Sequence, residues 1–279
     1  MSSLTITTIQ SDLSWEDKSA NLAMFDARIR AITEKTEIVV LPEMFSTGFS
    51  MQPEKLAETM EGPTISWMKS LSAEKKIIIT GSLIIEEEGH YYNRMVWMLP
   101  NGQYGTYDKR HLFAFAGEDQ HYTPGKKRLV ASVKGWGVLL QVCYDLRFPV
   151  WSRQQTLHPP GTTRRVKGGE NTPEYDLLIY VANWPERRNA AWKTLLAARA
   201  IENQCFLVGV NRVGTDGLGI YHSGDTMVID PMGTVLYQKS HEPDIHTITL
   251  QKSALEEVRG KFPFLDDADQ FTLLNDEQP

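Results

Sequence analysis

The chain has 279 residues, 41% hydrophobic and 23% charged, which is enough apolar material for one large α/β domain or two smaller ones. Its 29 basic and 35 acidic residues give a formal net charge of −6, which argues against a nucleic-acid-binding surface. Two cysteines, Cys143 and Cys205, suggest no disulfide framework, and no apolar run approaches the ~18 residues of a membrane span.

In chain order, "LTITTIQ" (4–10) alternates and is β-rich, so it reads as a strand. The first residues lack a basic segment followed by an apolar one, so no secretory signal is read and a cytoplasmic protein is expected. Trp15 to Lys35 shows helical spacing, with Leu22, Phe25, Ile29 and Ile32 on one face. "EIVVLP" (37–42) is a short buried strand stopped by Pro42, which has no N–H for a ladder. Pro63 opens a helix reaching about Lys75. "KIIITGSLII" (76–85) is nearly all apolar, as expected of a strand covered on both faces. Residues 91–109 read as a hairpin turning at Asn101-Gly102.

Two more buried strands follow, "GVLLQVC" (137–143) and "YDLLIYVAN" (175–183). Between them lies "TLHPPGTTRRVKGGENTPE" (156–174), whose Pro, Gly and basic residues predict a surface insertion, either a solvated loop or a lid. Ala190 to Asn203 is a helix expected to turn Trp192, Leu195, Leu196 and Ile201 to the core. "CFLVGVNRV", "TMVIDPMGTVLYQK" and "DIHTITL" complete the strands. "MVWMLPNG" (95–102) resembles "MVIDPMG" (227–233), a hint of two similar halves. Strands alternating with helices, with hairpins between, predict two sheets covered by helices in a single layered domain spanning 1–279. A C-terminal extension is expected from about 261 to 279.

The chain has no G-x-S-x-G elbow, H-E-x-x-H zinc helix or phosphate-binding P-loop, and its seven histidines are scattered. Three residues share one placement instead. Glu43 follows "EIVVLP", Lys109 follows the hairpin strand ending "GTYD", and Cys143 follows "GVLLQV". In α/β sheets ligands bind outside the carboxyl ends of strands, so the three could converge on one cleft. Each alone has a plainer reading: a turn cap for Glu43, a solvated charge run "DKRH" for Lys109, a small buried hydrophobe for Cys143.

The motifs around them, "LPEMFSTGF", "YDKRHLF" and "VCYDLRFP", resemble the carbon–nitrogen hydrolase (nitrilase) superfamily. "YVANWPERR", "AARAIENQ", "NRVGTDG" and "KFPFLDDADQF" resemble its ω-amidase branch. The resemblance implies a four-layer α-β-β-α sandwich of two mixed sheets, assembled as a homodimer. It implies a Glu43–Lys109–Cys143 set, with Glu118 of "AGEDQHYTPG" in support and the Tyr144 backbone N–H as an oxyanion donor. On this reading Glu43 accepts the thiol proton and Lys109 favours the thiolate. Neither a metal nor an organic cofactor is called for. The implied substrate is a small 2-oxo dicarboxylate monoamide such as 2-oxoglutaramate, cleaved through a cysteine thioester. The alternatives are an N-carbamoyl-amine or nitrile hydrolase of the same superfamily, or a catalytically silent interaction protein on the fold. Such a substrate needs a cation opposite Cys143, for which Arg147, Arg187 and Arg188 are candidates, although Arg147 could instead pair with Asp145. Phe45, Phe113 and Trp184 are candidate apolar walls.

Overall fold

A computed structural model describes residues 2–154, 156–157, 172–269 and 271–273. Two mixed sheets pack face to face between helical layers, giving the expected four-layer sandwich. The first sheet runs in the order Asp244–Gln251, Ser3–Gln10, Ile38–Val40, Ile78–Glu87, His90–Met98, Tyr104–Asp108. The second runs Val130–Val133, Trp136–Val142, Leu177–Ala182, Phe206–Asn211, Tyr221–Ile229, with Val213–Thr215 and Val235–Ser240 both on the last of these.

The two sheets repeat one plan. Each has an antiparallel edge strand, then three parallel strands, then two strands each antiparallel to its neighbour. The similar hairpin sequences at 95–102 and 227–233 fall in the same place in this plan, where the parallel run gives way to the antiparallel pair.

Alternation along the strands assigns the layers. Leu177, Ile179 and Val181 face the first sheet, meeting a core that includes Leu4, Ile6, Ile38 and Val40. Leu178, Tyr180 and Ala182 face the other way, onto Trp192, Leu196 and Ala200 of helix Asn189–Asn203. On the far side of the first sheet, Val39, Ile79 and Val96 pack against Phe25 and Ile29 of helix Lys18–Arg30 and Met68 and Leu71 of helix Pro63–Lys75. Each such buried side chain contributes roughly 1.5–3 kcal/mol.

Two sequence expectations change. The first helix begins at Lys18 rather than Trp15, because Asp17 caps it by accepting from the Ala20 N–H at 2.9 Å. Ile201 is exposed, not core. It lies nine residues past Trp192, and at ~100° per residue that puts it on the opposite side of the helix. The predicted insertion at 156–174 lies mostly outside the described residues, of which Thr156–Leu157 and Thr172–Pro173 pair at its base. Of the C-terminal extension, 270 and 274–279 lie outside them. No helix among the described residues is long and apolar enough to cross a membrane.

Candidate active site

Glu43 and Lys109 leave the first sheet where Ile38–Val40 and Tyr104–Asp108 end, and Cys143 leaves the second where Trp136–Val142 ends. Two of these exits carry a left-handed residue that is not glycine. Met44, after Glu43, has φ 42°, and Cys143 itself has φ 45°. Such conformations cost on the order of 1–3 kcal/mol and persist only when surroundings hold them. At Met44 the hold is Ser82, whose Oγ accepts the Met44 N–H at 2.9 Å and whose carbonyl accepts that of Phe45 at 3.0 Å.

At Cys143 the hold is Asp145. Its buried carboxylate accepts the Val142 N–H (3.1 Å), the His111 N–H (2.9 Å) and the Tyr107 hydroxyl (2.7 Å), and meets His111 Nδ1 at 2.8 Å. Tyr107 in turn accepts from Trp151 Nε1 at 2.8 Å, and the His111 ring stacks on Phe148 at 3.8 Å. One carboxylate therefore links the backbone just before the thiol to the backbone two residues past Lys109.

Glu43, Lys109 and Glu118 are buried together. Lys109 Nζ donates to Glu43 Oε1 at 2.9 Å and to both oxygens of Glu118 at 2.9 and 2.8 Å. Asn93 Nδ2 bridges the two carboxylates at 2.8 and 3.2 Å. Glu118 also accepts the Phe113 N–H at 2.6 Å. The Glu118 loop is pinned against the lysine, with the Gly125 N–H on Lys109 O at 2.9 Å. A Cβ at Gly125 would stand 2.0 Å from Asp108 O, so only glycine allows that approach.

Burial opposes the charge on Lys109, but the two carboxylates outweigh it and hold its pKa well above the ordinary value. Burial, offset in part by Lys109 and reinforced by Glu43, raises Glu118 above the usual carboxylate range. Burial first, then the charge of Glu43, pushes the Cys143 thiol far up despite Lys109 nearby. Lys109 favours the thiolate, as expected of it, but burial and Glu43 outweigh it. The ammonium is committed to two carboxylates, and the thiol's shift is toward its protonated form. Three hydrogens on Nζ meet three carboxylate oxygens, so an oxyanion can gain a lysine hydrogen only if one Glu118 contact is shared or released.

Cys143 opens into a cavity of ≈ 290 Å³. Its walls include Phe49, Phe113, Tyr144 and Trp184, and Arg147, Arg187 and Arg188 all reach it. The Arg147 guanidinium lies 5.0 Å from the Trp184 ring centroid and that of Arg188 lies 5.0 Å from Phe113. Stacking of this kind occupies the faces and leaves the N–H edges for a carboxylate. Burial, then the like charges of Arg187 and Arg147, lower the Arg188 pKa, so the three cations share one field. Tyr144 sits in the first turn of the short 3₁₀ segment Cys143–Arg147, where backbone N–H groups lack intrahelical acceptors.

Phe45 does not belong to this cavity. It is fully buried in the outer core, 5.6 Å from Phe25 and 6.0 Å from Trp67 between ring centroids. Phe49, four residues on, takes the wall position, with Lys109 Nζ 5.1 Å from its ring. The Arg147–Asp145 pair does not form either, since Asp145 turns inward to Tyr107 and His111. Sequence reading missed Asn93, Asp145 and Asn183. Asn183 had a usable signal, because like Glu43 it stands at the exit of a buried strand, here Leu177–Ala182. Among the described residues no group of three or more His, Cys, Asp or Glu could hold a metal ion.

Residues 5–260 match the carbon–nitrogen hydrolase family model. The chain is 40% identical over 274 residues to Omega-amidase YafV of Escherichia coli (strain K12), covering 98% of this chain and 100% of that protein. It is 32% identical over 268 residues to a 2-oxoglutaramate amidase of Bacillus subtilis (strain 168), covering 94% and 96%. A crystal structure of a CN-hydrolase superfamily protein from Xanthomonas campestris, with an arsenic adduct in its active site, superposes with a TM-score of 0.90. Its identity to this chain is 40%, with coverage of 98% and 100%.

Proposed function

The chain belongs to the carbon–nitrogen hydrolase family, and from that premise we propose that it hydrolyses the ω-amide of a small 2-oxo dicarboxylic acid monoamide, with 2-oxoglutaramate the leading candidate. The observation that carries the reading is what the cavity brings together: a thiol backed by Glu43, Lys109 and Glu118, and three arginines that reach the same space. A substrate with an amide at one end and a carboxylate at the other suits both.

The steps follow from the geometry. Glu43 takes the Cys143 proton as the sulfur bonds to the amide carbon, so no free thiolate need accumulate. The carbonyl oxygen becomes an oxyanion, with the Tyr144 N–H and one Lys109 hydrogen as its donors. Glu43 returns the proton to nitrogen, the C–N bond breaks, and ammonia leaves a thioester on Cys143. Glu43 then removes a proton from water as it attacks the thioester, and passes that proton to the departing sulfur. Glu118 keeps Lys109 in place throughout.

The test is a panel with ammonia detection: 2-oxoglutaramate, 2-oxosuccinamate, glutamine, an N-carbamoyl amino acid and a simple nitrile. Preference for the 2-oxo acid amides is expected. Turnover of the carbamoyl compound or nitrile in their place would reassign the substrate, and inertness toward the whole panel would remove the activity.

A further inference from the structure

We propose that Asn183 is a specificity residue that reads the nitrogen of the scissile amide. The inference rests on the amidase reading above. Asn183 lines the cavity beside Cys143 and is tied twice to Glu43. Its backbone N–H donates to Glu43 Oε2 at 2.8 Å, and its side-chain Nδ2 donates to the Glu43 carbonyl at 2.6 Å. The second bond fixes the side-chain orientation, because reversing the amide would set two oxygens against each other. Oδ1 is then left buried without a partner among the described residues. An unpaired buried acceptor is unfavourable, and the group that satisfies it gains accordingly.

The hydrogen-bond inventory of Glu43 says what that group is. Oε1 already accepts from Lys109 Nζ and Asn93 Nδ2, whereas among the described residues Oε2 accepts a hydrogen bond from the Asn183 N–H alone. A carboxylate offers about four lone-pair sites, which leaves the open one on Oε2 to receive the Cys143 thiol proton in the proposed reaction. The same oxygen must return that proton to the leaving nitrogen. For this the nitrogen lone pair has to face Glu43, which requires its N–H bonds to point elsewhere. Asn183 Oδ1, fixed on the same backbone segment that holds Oε2, is an acceptor for one of them. Proton donor and nitrogen orientation are thereby set by one residue. An ester has no N–H to offer, so Oδ1 favours amides over esters.

The experiment compares kcat/KM for 2-oxoglutaramate and for the ester in which methoxy replaces the amide nitrogen, in wild type, Asn183→Ala and Asn183→Ser. Both substrates should suffer from looser placement of Glu43. The amide should fall further, by about tenfold relative to the ester, the scale of one lost hydrogen bond to a buried group. Equal losses on both substrates would overturn the inference and leave Asn183 as a positioning residue for Glu43 alone. If both variants fail to fold, Cys143→Ala carries the test. It should bind 2-oxoglutaramate about tenfold more tightly than the methyl ketone that replaces NH2 by CH3, and equal affinities would overturn the proposal. Failure of wild type to release ammonia is a different result, which would remove the amidase reading beneath it.

Discussion

Lys109→Met removes one ammonium and keeps an unbranched stem. It leaves Glu43 and Glu118 buried, joined by Asn93 and without a cation. Removing one partner of a buried ion pair costs about 3–5 kcal/mol. Burial already raises Glu118, and without the ammonium that opposed this rise its carboxyl should hold a proton to still higher pH. The folded variant then binds a proton that its unfolded chain releases, so its stability is lost as pH rises. Glu118 of the wild type is itself raised, so the variant extends the same slope to higher pH. Urea unfolding at pH 5.5 and 8.0 reads this directly, with a deficit against wild type that is largest at pH 8.0. Lys109→Met/Glu118→Gln should recover much of it by removing one charge. Neither variant should turn over, since losing one oxyanion donor already costs about 10²–10³ in rate. A deficit below about 1 kcal/mol and equal at both pH values would refute the idea that Lys109 neutralises a buried carboxylate pair.

Cys143→Ala should abolish hydrolysis with the fold intact, while Cys205→Ala, at a fully buried strand start and not part of the cavity lining, should keep most activity. Intact-mass measurement after rapid acid quench should show an acyl adduct on wild type, and activity in Cys143→Ala without any adduct would point to direct attack by water. Truncating the arginine that binds the far carboxylate should raise KM more than it lowers kcat, since a charged hydrogen bond contributes roughly 1.5–3 kcal/mol. Arg147→Ala, Arg187→Ala and Arg188→Ala are compared on 2-oxoglutaramate and on its methyl ester at that carboxylate, and equal wild-type efficiency on acid and ester would sink the clamp. His222, buried at the cavity wall with Nδ1 3.0 Å from Ile220 O, has its pKa pushed down to about 4, first by burial and then by Arg212. Its unfolded value is near 6.5, so the unfolded chain binds the extra proton and stability falls from about pH 6.5 to 4, by up to about 3 kcal/mol. The stability difference between wild type and His222→Asn should shrink over that range, and a difference independent of pH would reject the buried neutral imidazole.

The exits at Glu43 and Cys143 were legible because each ends an apolar run with an abrupt change to polar residues, a local pattern, whereas Lys109 was legible only as the end of a hairpin strand. Residues whose side is set by a turn were not. Phe45 and Phe49 both lie in "LPEMFSTGF", and period alone gives either the wall position. The left-handed Met44, held by Ser82 from the neighbouring strand, sends Phe45 to the outer core. Asp145 and Arg147 are close in sequence and of opposite charge, which suggests a pair. The 3₁₀ turn instead aims one at Tyr107 and the other at the cavity. Ile201 failed for a simpler reason, since apolarity was read without its angle on the helix.

The repeated strand plan also explains why Asn183 and Glu43 meet. Each follows the middle parallel strand of its sheet, Leu177–Ala182 for one and Ile38–Val40 for the other. Face-to-face packing of two equivalent sheets brings equivalent exits together, so the base and the residue that fixes it arise from the same position in each half. The nucleophile arises elsewhere in the plan, because Cys143 leaves the first parallel strand of the second sheet, whose equivalent in the first sheet is Ser3–Gln10. It is tied across the seam by Asp145 to Tyr107 on an edge strand of the first sheet. Two cross-sheet links, Asn183 to Glu43 and Asp145 to Tyr107, therefore fix the separation of base and thiol. Relative sliding of the sheets would break both, and packing that stabilises the fold thereby also sets the distance over which the proton moves.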